Sequence, residues 1–258
     1  MRFEEIEPVI PAKYDGMTVR TIPYLETEDF GGVVRTYLVD VIERAPEVSA
    51  AADAVGTDAK RPAVIFLHGG GHMNKCDRRQ GYVPVFAREL TKHGCVVFAP
   101  DYPVFDSVEQ RNALGGRMAG CPKTAAAVHS LYGFIQAHAE EFRADPERIA
   151  IMGGSAGGWT AFHAVADYPQ DRYRFLGNCW GTPEDEIDFS HFPPTLSIHG
   201  TADQAVPFEL EAPVQAALET AGIPHDLVAL EGSPHTPVNR FAEYAPLLVR
   251  YLNLYMKD

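Results

Sequence analysis

Gly153-Gly154-Ser155-Ala156-Gly157-Gly158 is the stretch that decides the reading of this 258-residue chain. It follows directly on the apolar run Ile149 to Met152 and leads straight into a helical pattern, Ala156 to Ala166, so the serine stands on a sharp strand-to-helix turn. Such a turn lifts the hydroxyl clear of the sheet and demands residues without bulk on either side, which Gly153 and Gly157 supply. A bare G-x-S-x-G arises by chance in roughly one chain of this length in ten. The turn therefore needs support from the rest of the sequence.

Outward from it, Ala63 to Leu67, Cys95 to Ala99, Ile149 to Met152 and Thr195 to Ile198 read as buried parallel strands, with Phe175 to Cys179 as a fifth and Leu227 to Leu230 as the last. Between them, Tyr82 to Lys92, Thr124 to Phe142, Ala156 to Ala166, Glu209 to Ala221 and Phe241 to Met256 carry apolar residues at three- and four-residue spacing. Alternating strand and helix predicts an α/β fold: a mostly parallel, doubly wound sheet flanked by helices. Val33 to Ile42 reads as an early antiparallel strand, and Glu43 to Arg61 as an exposed connection. We expect one domain over residues 1–258, with antiparallel strands and that connection in 1–60 and the core in 61–258.

A second glycine-rich stretch, His68-Gly69-Gly70-Gly71, follows the strand Ala63 to Leu67. Residues without side chains let backbone N–H groups close on a developing oxyanion, so Gly70 and Gly71 are candidate donors, with Ala156, the residue after the serine, as a third. His68 is expected to orient this loop. A serine hydroxyl is a poor nucleophile until a base takes its proton. Asp203, just past the strand Thr195 to Ile198, and His235, after the last strand and before the final helix, supply an acid and a base in the required order. Of the nine other histidines among the ten, His93, His129, His138 and His163 fall on helical patterns; His72, His191, His199 and His225 lie near sheet ends. Only His235 stands on a loop after the last strand.

Together HGGG, GGSAGG, HGTADQAVPF and GSPHTP resemble the lidless esterase branch of the α/β-hydrolases, over about residues 60 to 257. That branch includes bacterial acetyl and feruloyl esterases of carbohydrates and lies near the hormone-sensitive-lipase-like carboxylesterases. The resemblance implies a serine esterase without a large cap domain, acting through an acyl-enzyme on short-chain acyl or aryl esters. Three departures stand out: His72 where relatives carry an aromatic residue, Gly154 where lipase-like relatives often have Asp, and Asp101-Tyr102-Pro103 in place of Asn-Tyr-Arg. His72 and Tyr102 are accordingly expected at the substrate pocket, and the Gly-rich segment Asp106 to Pro122 as a partial lid. Glu184-Asp185-Glu186 reads as a solvated cluster. Two alternatives stay open: an amide-bond hydrolase, formamidase or peptidase-like, on the same triad, and a non-catalytic ligand-binding member of the fold.

Composition bounds the rest. Hydrophobic residues at 46% and charged ones at 22% are ordinary for a packed core. The formal net charge of -13 argues against nucleic acid, which needs clustered Lys and Arg, and weakly against strongly anionic substrates. No stretch reads as a secretory signal or membrane span, so we expect a cytoplasmic protein acting on a small-molecule ester without membrane contact, with homo-oligomerisation left open. Cys76, Cys95, Cys121 and Cys179 show no C-x-x-C spacing, so no metal site is expected and free thiols are the default, with a Cys76 to Cys121 disulfide the one pairing considered. No organic cofactor is called for.

Overall fold

The computed structural model describes residues 13–46 and 59–257. Eight strands form one sheet in the order β1-β2-β4-β3-β5-β6-β7-β8. They are β1 (Met17–Glu28), β2 (Val34–Arg44), β3 (Arg61–Leu67), β4 (Val96–Pro100), β5 (Ala144–Gly154), β6 (Tyr173–Cys179), β7 (Thr195–Gly200) and β8 (His225–Leu230). The pairs β1·β2 and β2·β4 are antiparallel, and every pairing from β4 through β8 is parallel. All six core runs expected as strands are strands, in an α/β-hydrolase arrangement.

Their unbroken apolar character follows from burial on both faces. Ala63, Ile65 and Leu67 of β3 point into one core while Val64 and Phe66 point into the other. Helices α3 (Cys121–Ala137), α5 (Ala156–Asp167) and α6 (Glu211–Thr220) cover the first face, and α1 (Val83–Lys92) and α7 (Phe241–Tyr255) the second. Burying a side chain such as Phe66 contributes about 1.5–3 kcal/mol over leaving it in water.

Several expectations are corrected. Beside the located strand, β1 is the second antiparallel strand of the N-terminal part, an edge strand whose register shifts between Pro23 and Leu25; an edge tolerates a proline that cannot donate to the ladder. Glu43 and Arg44 prolong β2 and Arg61 opens β3, so only residues 47–58 of the expected connection lie outside the described residues. The segment from Asp106 to Pro122 is largely helical: α2 (Val108–Ala113) carries no buried residue, and a 3-10 turn at Met118–Gly120 runs into α3, which begins three residues early because Pro122 suits a helix's first turn. The expected long helix ends at Ala137, and α4 (Ala139–Phe142) is a separate turn. Between Cys179 and Thr195 no helix intervenes, so there is no large cap. No helix among the described residues is long and apolar enough to cross a membrane.

Candidate active site

Ser155 sits at the junction of β5 and α5 with φ 55°, a left-handed conformation unusual for a residue with a side chain. The turn is as tight as its glycines suggest. A Cβ on Gly153 would lie 2.2 Å from the Gly157 carbonyl oxygen, and one on Gly157 2.4 Å from that of Leu67. His72, Trp180 and Thr236, around the same end of the sheet, also have positive φ. Strained backbone of this kind persists only where surrounding structure holds it.

The structure brings Ser155, His235 and Asp203 together although they are far apart in the chain. His235 Nε2 lies 3.0 Å from Ser155 Oγ, and His235 Nδ1 lies 2.6 Å from Asp203 Oδ2. The other carboxylate oxygen, Oδ1, accepts from the amides of Ala205 at 2.8 Å and Val206 at 3.0 Å. The loops after β7 and β8 are laced by Thr201 N to Leu230 O, Ala202 N to Ser233 O and Gly232 N to Thr201 Oγ1, which fixes Asp203 relative to His235. Arg240 adds a bond to Ser233 Oγ at 2.8 Å. Burial works to raise the Asp203 pKa, but the hydrogen bond from His235 and the two amides outweigh it, and the net shift is downward. Asp203 is therefore a carboxylate, and the His235 proton resides on Nδ1 with the Nε2 lone pair facing the serine.

Behind Asp203 lies an extension that sequence reasoning missed. His199 Nε2 is 3.1 Å from Asp203 Oδ2 and 3.0 Å from the Val206 carbonyl oxygen, while its Nδ1 is 2.9 Å from Glu211 Oε1. Glu211 Oε1 also accepts from Thr182 Oγ1 and Asn178 Nδ2, and Oε2 from Gln215 Nε2 at 3.0 Å. All three side chains, His199, Asp203 and Glu211, are essentially inaccessible. Each His199 nitrogen faces acceptors, so the doubly protonated ring alone satisfies them. Burial lowers its pKa, but the hydrogen bond and charge of Glu211, the Val206 carbonyl and the charge of Asp203 reverse this, for a net rise. The one signal available beforehand was Glu211 itself, an acid at helical spacing with the buried Val214 and Leu218.

This gives a pH signature. A raised His199 pKa contributes stability that is complete below the unfolded value of about 6.5 and is lost as pH rises through the folded one. The lowered Asp203 pKa contributes above about pH 4 and is lost on acidification. The melting temperature should thus decline above pH 6.5, and His199→Gln should flatten that decline while lowering stability overall. Calorimetry from pH 6 to 9 checks this; equal slopes in the two proteins would show that His199 is not held as a cation.

In the glycine loop, Gly70 and Gly71 have φ of +100° and +66°, which opens their backbone in a way a side chain would resist. The amides of Gly70, Gly71 and Ala156 have no acceptor among the described residues. The loop is braced from behind: Gln80 Oε1 accepts from Gly69 N at 2.6 Å, His68 Nδ1 lies 2.9 Å from the Gly69 carbonyl oxygen, and His68 stacks on Tyr102 at 4.2 Å, whose hydroxyl donates to the His68 carbonyl. His68 thus orients the loop as expected, and Gln80 is a further brace.

His72 and Tyr102, expected at the pocket, are buried at 0% and 1% exposure and offer no surface to a substrate. His72 packs inward: its Nε2 is 2.9 Å from Thr160 Oγ1, which is bonded in turn to Thr124 Oγ1. Burial pushes the His72 pKa down to about 4, so the ring is neutral. Gly154, in the place of an acid, makes room for Tyr82, whose ring a Cβ there would meet at 2.6–2.8 Å.

Beside the turn that carries Ser155, Cys121, Ala156, Trp159 and Val206 form a small apolar cluster on which Met118 and Leu210 pack, partly exposed. Arg117 straps this region. Its Nη1 donates to the Ala205 carbonyl at 2.9 Å, its Nη2 pairs with Glu184, and its guanidinium lies 5.7 Å from the centre of the Trp159 ring. Glu184 and Asp185 are exposed, as read, and each has one partner: Glu184 pairs with Arg117, and Asp185 with His163 at 3.1 Å. All four cysteines are free thiols, with Cys121 buried and unpaired to Cys76.

The family model BD-FAE matches residues 53–186, more than half of the chain. The chain belongs to the BD-FAE family. Membership of this group of α/β-hydrolase-like esterases makes it a hydrolase. The BD-FAE match takes in the glycine loop and Ser155 but ends before Asp203 and His235. Solved structures with the same fold include the apo form of Thermogutta terrifontis esterase 2, with TM-score 0.68, 19% identity, and coverage of 95% of this chain and 97% of that one. The butyrate-bound form of that enzyme gives 0.67 and 19% over 93% and 94%. MGS-M1, an α/β hydrolase from a Medee basin deep-sea metagenome library, gives 0.67 and 19% over 93% and 100%. No curated protein sequence matches the chain.

Proposed function

We propose that this BD-FAE member is a serine esterase that cleaves short-chain acyl or aryl esters through an acyl-enzyme on Ser155. The observation that carries the reading is the unbroken line from Ser155 Oγ through His235 to Asp203, with spacings of 3.0 and 2.6 Å. His235 Nε2 takes the Ser155 proton as Oγ attacks the carbonyl carbon. The negative charge that develops on the carbonyl oxygen is held by the amides of Gly70, Gly71 and Ala156, each such donor being worth about two to three orders of magnitude in rate. The tetrahedral species collapses, His235 returns the proton to the departing alcohol, and the same histidine then activates the water that frees the acid. Asp203 stabilises the imidazolium in both halves. The buried His199–Glu211 pair holds Asp203 in place while adding little net charge, and is a positioning element. No metal or organic cofactor enters this chemistry.

The small cluster around Trp159 and Met118 favours a short acyl group, and acetyl or feruloyl esters of carbohydrates are the narrower class we put forward. A fluorophosphonate probe is expected to label Ser155, read by peptide mass spectrometry, and a nitrophenyl ester series from acetyl to decanoyl should show its highest kcat/KM at two to four carbons. Labelling elsewhere would sink the mechanism. Faster turnover of an N-formyl amide than of any ester would favour the amide-hydrolase alternative.

A further inference from the structure

The helix α2 lies on the segment leading away from β4, and its placement is fixed by short bonds. Phe105 N donates to the His72 carbonyl at 2.6 Å, Asn74 N to the Phe105 carbonyl at 3.1 Å, and Asp106 N to Gln110 Oε1 at 2.9 Å; the Phe105 ring stacks on Phe30 at 4.1 Å. Ser107 caps the helix by accepting from Gln110 N. This anchoring sets Arg111 over the glycine loop: a Cβ added at Gly71 would lie 3.8 Å from the Arg111 Nη1.

The two arginines of this segment are in opposite states. Arg117 has a carboxylate, a carbonyl and an indole face. Arg111 has no carboxylate or other acceptor among the described residues, although the chain carries 35 acidic residues against 22 basic ones. Its Nε is shielded from solvent and unbonded. A guanidinium partly stripped of water and left without an acceptor is a costly arrangement that an arriving anion relieves, and its planar fork matches a carboxylate.

We infer that Arg111 is an anion anchor at the mouth of the cleft, and that the preferred esters carry a free carboxylate a few bonds from the scissile carbonyl. The inference rests on the esterase reading and narrows its substrate class. It also departs from what net charge alone suggests, because a local unpaired cation beside the glycine loop outweighs a diffuse negative field screened beyond about 10 Å.

The carboxylate could belong to the acyl or the alcohol part, and two substrate pairs separate these. Mono-4-nitrophenyl succinate against 4-nitrophenyl butyrate tests the acyl side; 3-acetoxybenzoate against phenyl acetate tests the alcohol side. In one pair the charged-to-neutral ratio of kcat/KM should fall about tenfold on Arg111→Gln, carried by KM, a size suited to one charge-assisted contact in a partly wet site. Arg111→Lys should retain part of the ratio, and 1 M salt should shrink it in the wild type. Ratios that are the same in wild type and Arg111→Gln for both pairs would overturn the inference while leaving the esterase reading intact. If the wild type cleaves none of the four esters and no probe labels Ser155, the esterase reading fails and takes the inference with it.

Discussion

Ser155→Ala is expected to lower kcat on 4-nitrophenyl acetate by about six orders of magnitude, the scale on which removal of a serine nucleophile acts. The variant should keep its fold, because alanine drops only the hydroxyl and the left-handed backbone at 155 is already imposed by the turn between Gly153 and Gly157. Initial rates with enzyme in large excess, together with a circular dichroism melt, measure both halves of this expectation. Substantial hydrolysis by a folded Ser155→Ala protein would place the chemistry on another residue.

The second large effect concerns Asp203→Asn, for which we expect kcat to fall by about 10⁴. The reason can be followed atom by atom. The Ala205 and Val206 amides both point at Oδ1, so the asparagine must keep its carbonyl oxygen there. Its NH2 then occupies the Oδ2 position, facing His235 Nδ1 at 2.6 Å and His199 Nε2 at 3.1 Å. An amide donor opposite Nδ1 forces the His235 proton onto Nε2, where it meets the serine hydroxyl instead of accepting from it. The same NH2 opposes the His199 N–H, so this variant, unlike Ser155→Ala, should also lose thermal stability. Steady-state rates across pH 6 to 9 with a parallel melting curve test the pair; a drop in rate of less than tenfold would mean that another group orients His235.

The difference between what could be read beforehand and what could not follows from how far apart the interacting residues lie. Ser155, its two glycines and its strand-to-helix setting are consecutive, so local geometry reveals them. Asp203 and His235 are legible because a parallel sheet delivers the ends of β7 and β8 to one edge, which chain order alone implies. The His199–Glu211 pair is invisible until α6 is placed on the sheet with its first turn facing β7. His72 and Tyr102 fall outside the pocket for the opposite reason: a departure from the pattern of relatives marks a position but not the direction of its side chain, and the chain turns both inward beneath the glycine loop. α2 escaped notice because a six-residue helix with no buried side chain has no apolar stripe to betray it. Of the antiparallel strands expected in 1–60, the position of β1 is hidden by Pro23 and by threonines and glutamates that an edge strand can carry.

One peptide plane ties these parts together. Arg117 donates to the Ala205 carbonyl, and the N–H on the other side of that same amide, belonging to Val206, donates to Asp203. A cation on the oxygen draws electron density through the conjugated unit and makes its N–H more acidic, as in any chain of mutually polarised dipoles. The segment that carries Arg117 is thereby wired electronically to the carboxylate facing His235: whatever takes Arg117 off the Ala205 carbonyl weakens the Val206 N–H bond to Asp203 by one peptide's worth of polarisation, with no atom of the 201–206 loop having to move.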